Sequence, residues 1–256
     1  MTAPRRLDTV ASAPRMTSSR RLDTRRAGTA GRPWPGRRDR PPDPRRGARF
    51  ARMATRRFLI LHGLANRRPP GHWHHWLAER LRSAGEQVIY PQLPDPDEPD
   101  LDRWLETLRA ELAMLGDAER VVVCHSLACS LWLAHCEQTG SSRPVDRVLL
   151  VSPPGPDVLS DLVPAFARPL PDAAAVAEAS GELLIVASDA DSYNPTGARC
   201  THAEPLRVGL RTLEGAGHIS WEDGFGPWPA VEEWCLTGEF PPPVRRPRRR
   251  TAESAG

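Results

Sequence analysis

Apolar and polar positions along the chain follow two alternating rhythms. Short continuous apolar runs occur at 57–62 (Phe58-Leu59-Ile60-Leu61), 121–125, 145–152 and 183–188, with a shorter one at 87–91 and a weaker one at 206–213. Runs of this length, rich in Val, Ile and Leu, read as strands buried on both faces. Between them the apolar residues recur at spacings of three and four. Trp73, Trp76, Leu77 and Leu81 predict a helix over 73–84; Leu101, Trp104, Leu105, Leu108, Leu112 and Leu115 predict one over 101–115. A last short helix is expected at 227–235, and the stretch 153–181 predicts one short helix around 158–166, too little for a large cap domain. Alternation of this kind predicts an α/β chain: a three-layer α/β/α sandwich on a mostly parallel sheet, with its ligand site beyond the carboxyl ends of the strands.

The sharpest change of rhythm is at Val121-Val122-Val123-Cys124-His125-Ser126-Leu127-Ala128-Cys129. Three valines favour extended backbone, whereas Leu127, Ser130, Leu131, Leu133 and Ala134 fall at helical spacing. Ser126 therefore sits where a buried strand turns directly into a helix. The small residues Cys124 and Ala128 flank it two positions to either side, where a tight turn leaves no room for bulk. That arrangement pushes a serine hydroxyl into solvent and aims the helix N–H groups at the same point. Cys and Ala stand where two glycines are usual, and a serine here also suits an ordinary helix N-cap.

Composition divides the chain rather than classifying it. The 256 residues include 28 prolines and no lysine, and the net charge of +3 averages unlike parts. Residues 1–52 carry 15 Arg against 4 acids, and residues 241–256 carry 5 against 1, which leaves 53–240 with a net charge of −12. The sequence thus predicts an Arg/Pro-rich disordered extension (1–52), one domain (53–240) and a disordered basic tail (241–256). Met53 opens a stretch with the form of a natural start, so 1–52 would be an extension from a mis-called start codon. An acidic body speaks against nucleic acid as its partner. The five scattered cysteines form no disulfide or zinc pattern, and no apolar run reaches 18 residues, so a cytoplasmic protein without a membrane span is expected.

The polar residues that follow the strands would converge on one edge of such a sheet: His62-Gly63-Leu64, Ser126, Asp189 or Asp191, and His218. Their order, Ser then Asp then His, suits nucleophilic acyl transfer. A hydroxyl is a weak nucleophile until a base takes its proton, imidazole titrates near neutrality, and a carboxylate behind it fixes the tautomer. Either aspartate could instead serve its turn. Gly63 would let the backbone N–H near Leu64 join that of Leu127 at an oxyanion. His62 and the cluster His72, His74 and His75 raise the question of a metal, but the cluster has no carboxylate at a ligand spacing and Trp73 and Trp76 interleave it, so no metal site is assigned. His125 is expected to pack beside the turn.

Four motifs carry a resemblance to a known family. Cys124-His125-Ser126-Leu127-Ala128, Ser188-Asp189-Ala190-Asp191-Ser192-Tyr193, Gly217-His218-Ile219 and Gly224-Phe225-Gly226-Pro227-Trp228-Pro229, together with the His72-Trp73 pair, resemble the retinoblastoma-binding protein 9 / YdeN family of small serine hydrolases over about residues 55–237. The resemblance implies an α/β-hydrolase fold, Ser126 as nucleophile, His218 as base and an aspartate as its orienter. Asp191, just before Ser192-Tyr193, matches the family position better than Asp189, although the usual proline is absent at 192.

The expected activity is that of a serine hydrolase cleaving an ester or amide, without metal or organic cofactor, on small acyl substrates or peptide ends. Trp73, Trp76 and Tyr193 are candidates to line its pocket. The alternatives are a binding or scaffold protein that keeps the fold without turnover, and a thioesterase or perhydrolase on the same residues.

Overall fold

The computed structural model describes residues 56–138 and 144–242; the expected extension 1–52 and nearly all of the basic tail lie outside the described residues. Among the described residues six strands form one sheet: β1 (Arg56–Leu61), β2 (Gln87–Ile89), β3 (Glu119–His125), β4 (Val145–Val151), β5 (Ser180–Ser188) and β6 (Gly209–Leu213). Their spatial order is β2-β1-β3-β4-β5-β6, and every neighbouring pair is parallel. The strand order reverses between β1 and β3, so a crevice opens beyond their carboxyl ends.

Helices cover both faces, as the alternation predicts. Along β3, Val122 and Cys124 pack on one side with α2 (Leu101–Met114), α3 (Leu127–Cys136) and α5 (Ala173–Ala179). Val121 and Val123 pack on the other with α1 (Trp73–Ser83) and α6 (Pro229–Thr237). This period-two sorting is what a doubly covered strand requires. α2 is capped by Asp100, whose carboxylate accepts from Arg103 N at 2.9 Å.

Two expectations need correction between 153 and 188. The stretch holds α4 (Pro156–Leu162), a 3₁₀ turn (Pro164–Phe166) and also α5, which was not expected. In α5 the run Ala-Ala-Ala-Val-Ala-Glu-Ala is a strong helix former, but it lacks the apolar contrast that periodicity detects. β5 starts at Ser180 rather than 183. Gly181 permits this, because a Cβ there would lie 2.8 Å from Asp146 O on the neighbouring strand.

One buried cation ties the last helix to the sheet. Arg147 on β4 donates from Nη1 to Trp234 O (2.8 Å), from Nη2 to Cys235 O (3.0 Å) and from Nε to Glu119 Oε1 (2.8 Å). The two carbonyls belong to the final turn of α6; Trp234 O also accepts from Gly238 N at 2.8 Å, so Arg147 adds a second donor there. Arg147→Met keeps the stem and removes the donors. It is expected to lower unfolding stability by about 2–4 kcal/mol, read as a fall in the urea midpoint. An unchanged midpoint would show that the clamp contributes nothing net.

Candidate active site

Ser126 follows β3 and precedes the first residue of α3, with φ 56° and ψ −125°. A non-glycine residue in that region is strained and persists only where its surroundings hold it. Here its N–H donates to Val151 O (2.9 Å) on β4, and Cys129 N donates to its carbonyl at 2.8 Å. Its side chain makes no N-cap bond to the helix. The hydroxyl is therefore free to face the crevice between β1 and β3. Gly63 abuts it so closely that a Cβ there would lie 2.7 Å from Ser126 Cβ.

His218, in the loop after β6, reaches back across the sheet to this hydroxyl. Its Nε2 lies 2.8 Å from Ser126 Oγ, and its Nδ1 lies 2.9 and 3.0 Å from the two carboxylate oxygens of Asp191. Asp191 accepts only, so Nδ1 carries the proton and Nε2 is left to accept from the serine. Asp191 is buried and also accepts from Tyr193 N at 2.9 Å, which fixes its rotamer. Asp189 is turned elsewhere: its Oδ1 accepts from Gly215 N at 2.7 Å and holds the loop before His218. Ser188 Oγ stitches the same two loops, accepting from Ala190 N (3.0 Å) and Ala216 N (2.9 Å).

Asp223, which sequence reasoning missed, pins the His218 loop. Its Oδ2 accepts from His218 N (2.9 Å), Ser220 N (3.1 Å) and Ser220 Oγ (2.8 Å). Burial opposes the charge, but these hydrogen bonds outweigh it and hold the carboxyl below its usual range. Gly217, at φ 60°, lies so close that a Cβ would fall 2.0 Å from Asp223 Oδ1. The spacing Ser220-x-x-Asp223 has the form of a capping box, and that was the signal available in the sequence.

Beneath the loop lies a group of buried histidines. His62 Nδ1 donates to Gly63 O (2.9 Å) and its Nε2 accepts from Leu93 N (2.9 Å), which sets the turn that carries Leu64. His125 Nε2 donates to His218 O at 3.0 Å. His72 caps α1, its Nδ1 accepting from His74 N at 3.2 Å. Ring nitrogens of His72, His74 and His125 all lie within 4.8 Å of one another. The set differs from the triplet His72, His74, His75 weighed above, for His75 is on the surface of α1 beside Glu79. Two of its members already have committed nitrogens, and the His72 and His74 rings are stacked at 4.3 Å, so their in-plane lone pairs diverge from a common ion. Both nitrogens of His74 are buried without a hydrogen-bond partner.

Burial pushes His62 and His72 down to about 4, and pushes His74 and His125 well below the usual value. Unfolded imidazoles titrate near ~6.5. Between that value and about 4 the unfolded chain binds more protons than the folded one, so stability falls as pH drops through this window. Each group adds a slope of up to about 1.4 kcal/mol per pH unit. His74→Phe removes one of these groups and two unpartnered nitrogens. Its urea midpoint is expected to fall less steeply than wild type from pH 7 to pH 4.5, whereas parallel slopes would contradict this account.

A cavity of about 810 Å³ opens over Ser126. Gly63, Leu64, Ser126, Leu127, Tyr193 and His218 line it, with an apolar wall from Val158, Leu159, Leu162 and Val163 and a polar rim from Ser220, Glu222 and Asp223. The sequence expectation for Trp73 and Trp76 is corrected. Trp73 is fully buried, and its Nε1 donates to Ile219 O at 2.9 Å, supporting the residue after His218 from below. Trp76 packs half-buried against the same core. Period-three spacing put both tryptophans on the sheet-facing side of α1, away from the cavity. Tyr193 does line it, its ring 4.4 Å from that of His218.

Comparison with known proteins gives a consistent picture. A family model described as serine hydrolase matches residues 58–236. The chain is 26% identical over 187 residues to YdeN of Bacillus subtilis strain 168, covering 73% of this chain and 97% of that protein. The crystal structure of the ydeN gene product superposes with a TM-score of 0.62 at 25% identity, over 71% of this chain and 97% of that one. A YdeN-like protein of Pectobacterium atrosepticum superposes with a TM-score of 0.54 at 26% identity, over 71% and 89%.

Proposed function

The chain belongs to the serine hydrolase family and has the α/β-hydrolase fold, and from that premise we propose that it cleaves an ester or amide through an acyl-enzyme on Ser126. The observation that carries this reading is the relay from Ser126 Oγ to His218 Nε2 (2.8 Å) and from His218 Nδ1 to Asp191 (2.9 Å), facing the cavity. Oγ attacks the acyl carbon while Nε2 takes its proton; Nε2 then returns that proton to the leaving group as the C–O or C–N bond breaks. Asp191 holds the tautomer and stabilises the imidazolium. The N–H groups of Leu64 and Leu127 receive the oxyanion, each typically worth about 2.7–4 kcal/mol in the transition state. A water activated by the same histidine releases the acyl group.

The substrates are small acyl compounds or peptide ends, since of the elements between β4 and β5 only the short helix α4, with Val163 after it, is set against the cavity. A reducing, cytoplasmic setting belongs to the same proposal: none of the five cysteines is joined in a disulfide. Among the described residues no helix is long and apolar enough to cross a membrane. A panel of esters, thioesters and aminoacyl amides, run beside a fluorophosphonate probe, tests the reading. Labelling of Ser126 with ester or amide turnover supports it. Turnover of thioesters alone would move the activity to that class, and no labelling would leave a binding protein on a hydrolase fold.

A further inference from the structure

The two walls of the cavity come from opposite layers of the molecule. Leu64, Leu159 and Val163 pack with the core on one face of the sheet, and Ile219 and Phe225, which flank Trp221 and Glu222 in the loop after His218, pack with the core on the other. Ser126 lies between them. A leaving group must reach Nε2 of His218 to take its proton, so it departs along the His218 wall, and the acyl part lies against the apolar wall. What stands on the His218 wall therefore selects the leaving group.

That wall combines aromatic faces with carboxylates. Trp221 is 52% exposed, yet its ring is seated. A Cβ on Gly71 would lie 3.0 Å from the Trp221 ring, and one on Gly226 would lie 3.3 Å from it, so two glycines clear a bed for one side of the indole. Tyr193, 42% exposed, stands beside the His218 ring. Glu222 and Asp223 follow in the same loop. Glu222 is exposed, and a hydrogen bond from its own backbone holds its carboxyl below the usual range. The Asp223 carboxylate already accepts from His218 N, Ser220 N and Ser220 Oγ, so the exposed Glu222 is the more available of the two. The arginine lining the cavity, Arg67, is ion-paired with Asp97.

A held indole face with an exposed carboxylate next to it in the chain matches a cation whose charge sits on a methylated or protonated nitrogen. We propose that the leaving group of the substrate carries such a cationic amine, received by Trp221 and Glu222 with Tyr193 closing the near side. This rests on the hydrolase reading above and names the class of substrate for the same site. The acyl part is apolar and short enough to lie against Val158, Leu159 and Leu162.

Two phosphonothioate reagents of equal shape test it. One releases thiocholine, and the other releases its neutral carbon isostere, 3,3-dimethylbutanethiol. In each, Ser126 Oγ forms a P–O bond as the P–S bond breaks, and the serine proton passes through His218 to the departing sulfur. The reagents differ in intrinsic reactivity, so the readout is the ratio of their labelling rates in each protein, followed by intact mass. Glu222→Gln and Trp221→Leu are each expected to lower the cationic-to-neutral ratio at least about five-fold. Glu214→Gln, an exposed glutamate off the cavity lining, is expected to keep the wild-type ratio. An unchanged ratio in both site variants, or an equal fall in Glu214→Gln, would overturn the cation subsite while leaving Ser126 a nucleophile. Failure of both reagents to label Ser126 would overturn the hydrolase reading, and the subsite with it.

Discussion

Ser126→Ala is expected to lower kcat on any ester that the protein turns over by about 10⁵–10⁶-fold and to abolish fluorophosphonate labelling. In the proposed reaction this hydroxyl is the atom on which the covalent intermediate forms, so the variant removes the nucleophile itself. Cys124 and Cys129 lie nearby in sequence, but both are fully buried, and burial pushes their thiols up, so neither offers a thiolate. The backbone of residue 126 is held by Val151 O whatever its side chain, so the variant should fold. Residual turnover should reflect transition-state binding alone. Thermal unfolding near that of wild type, together with lost labelling, would place the loss in chemistry rather than in folding. A variant that still forms product at a comparable rate would end the acyl-enzyme proposal.

Asp191→Asn should cost about 10⁴-fold in kcat, and Asp189→Asn should cost little. The two aspartates stand two residues apart on one loop, so this contrast isolates orientation. The Asp191 carboxylate accepts from His218 Nδ1 through both oxygens; an amide can instead donate and stabilise the tautomer with its proton on Nε2, where it blocks acceptance from the serine. In Asp189 a single oxygen accepts from Gly215 N, a bond that an asparagine oxygen can still accept. Steady-state rates of the two variants on one ester, with folding checked by circular dichroism, decide the matter. Loss of activity confined to Asp189→Asn would reassign the orienting carboxylate.

The sequence by itself determined the architecture, because each element announces itself through a local periodicity. Valine and leucine runs bounded by turns set β1, β3, β4 and β5, and spacings of three and four set α1 and α2. The switch from one rhythm to the other at Ser126 located the strained turn, and the order Ser, Asp, His limited the chemistry before any distance was known. α5 escaped because an alanine run has helical propensity without an apolar face, and the cap function of Asp223 lay unread in Ser220-x-x-Asp223.

Tertiary structure alone decided which side chains meet. Asp189 and Asp191 have the same parity along the chain and differ only in how the loop after β5 turns, so no local pattern separates them. His125, from β3, joined His72 and His74 in place of His75, because adjacent positions on a helix point about 100° apart whereas a strand end can deliver a ring from across the layer. Trp73 likewise went to the core rather than to the cavity, since α1 must bury its apolar stripe on the sheet. Local periodicity fixes which face of an element is apolar; contact across elements depends on register, crossover and loop path, and these are settled only when the whole sheet is assembled.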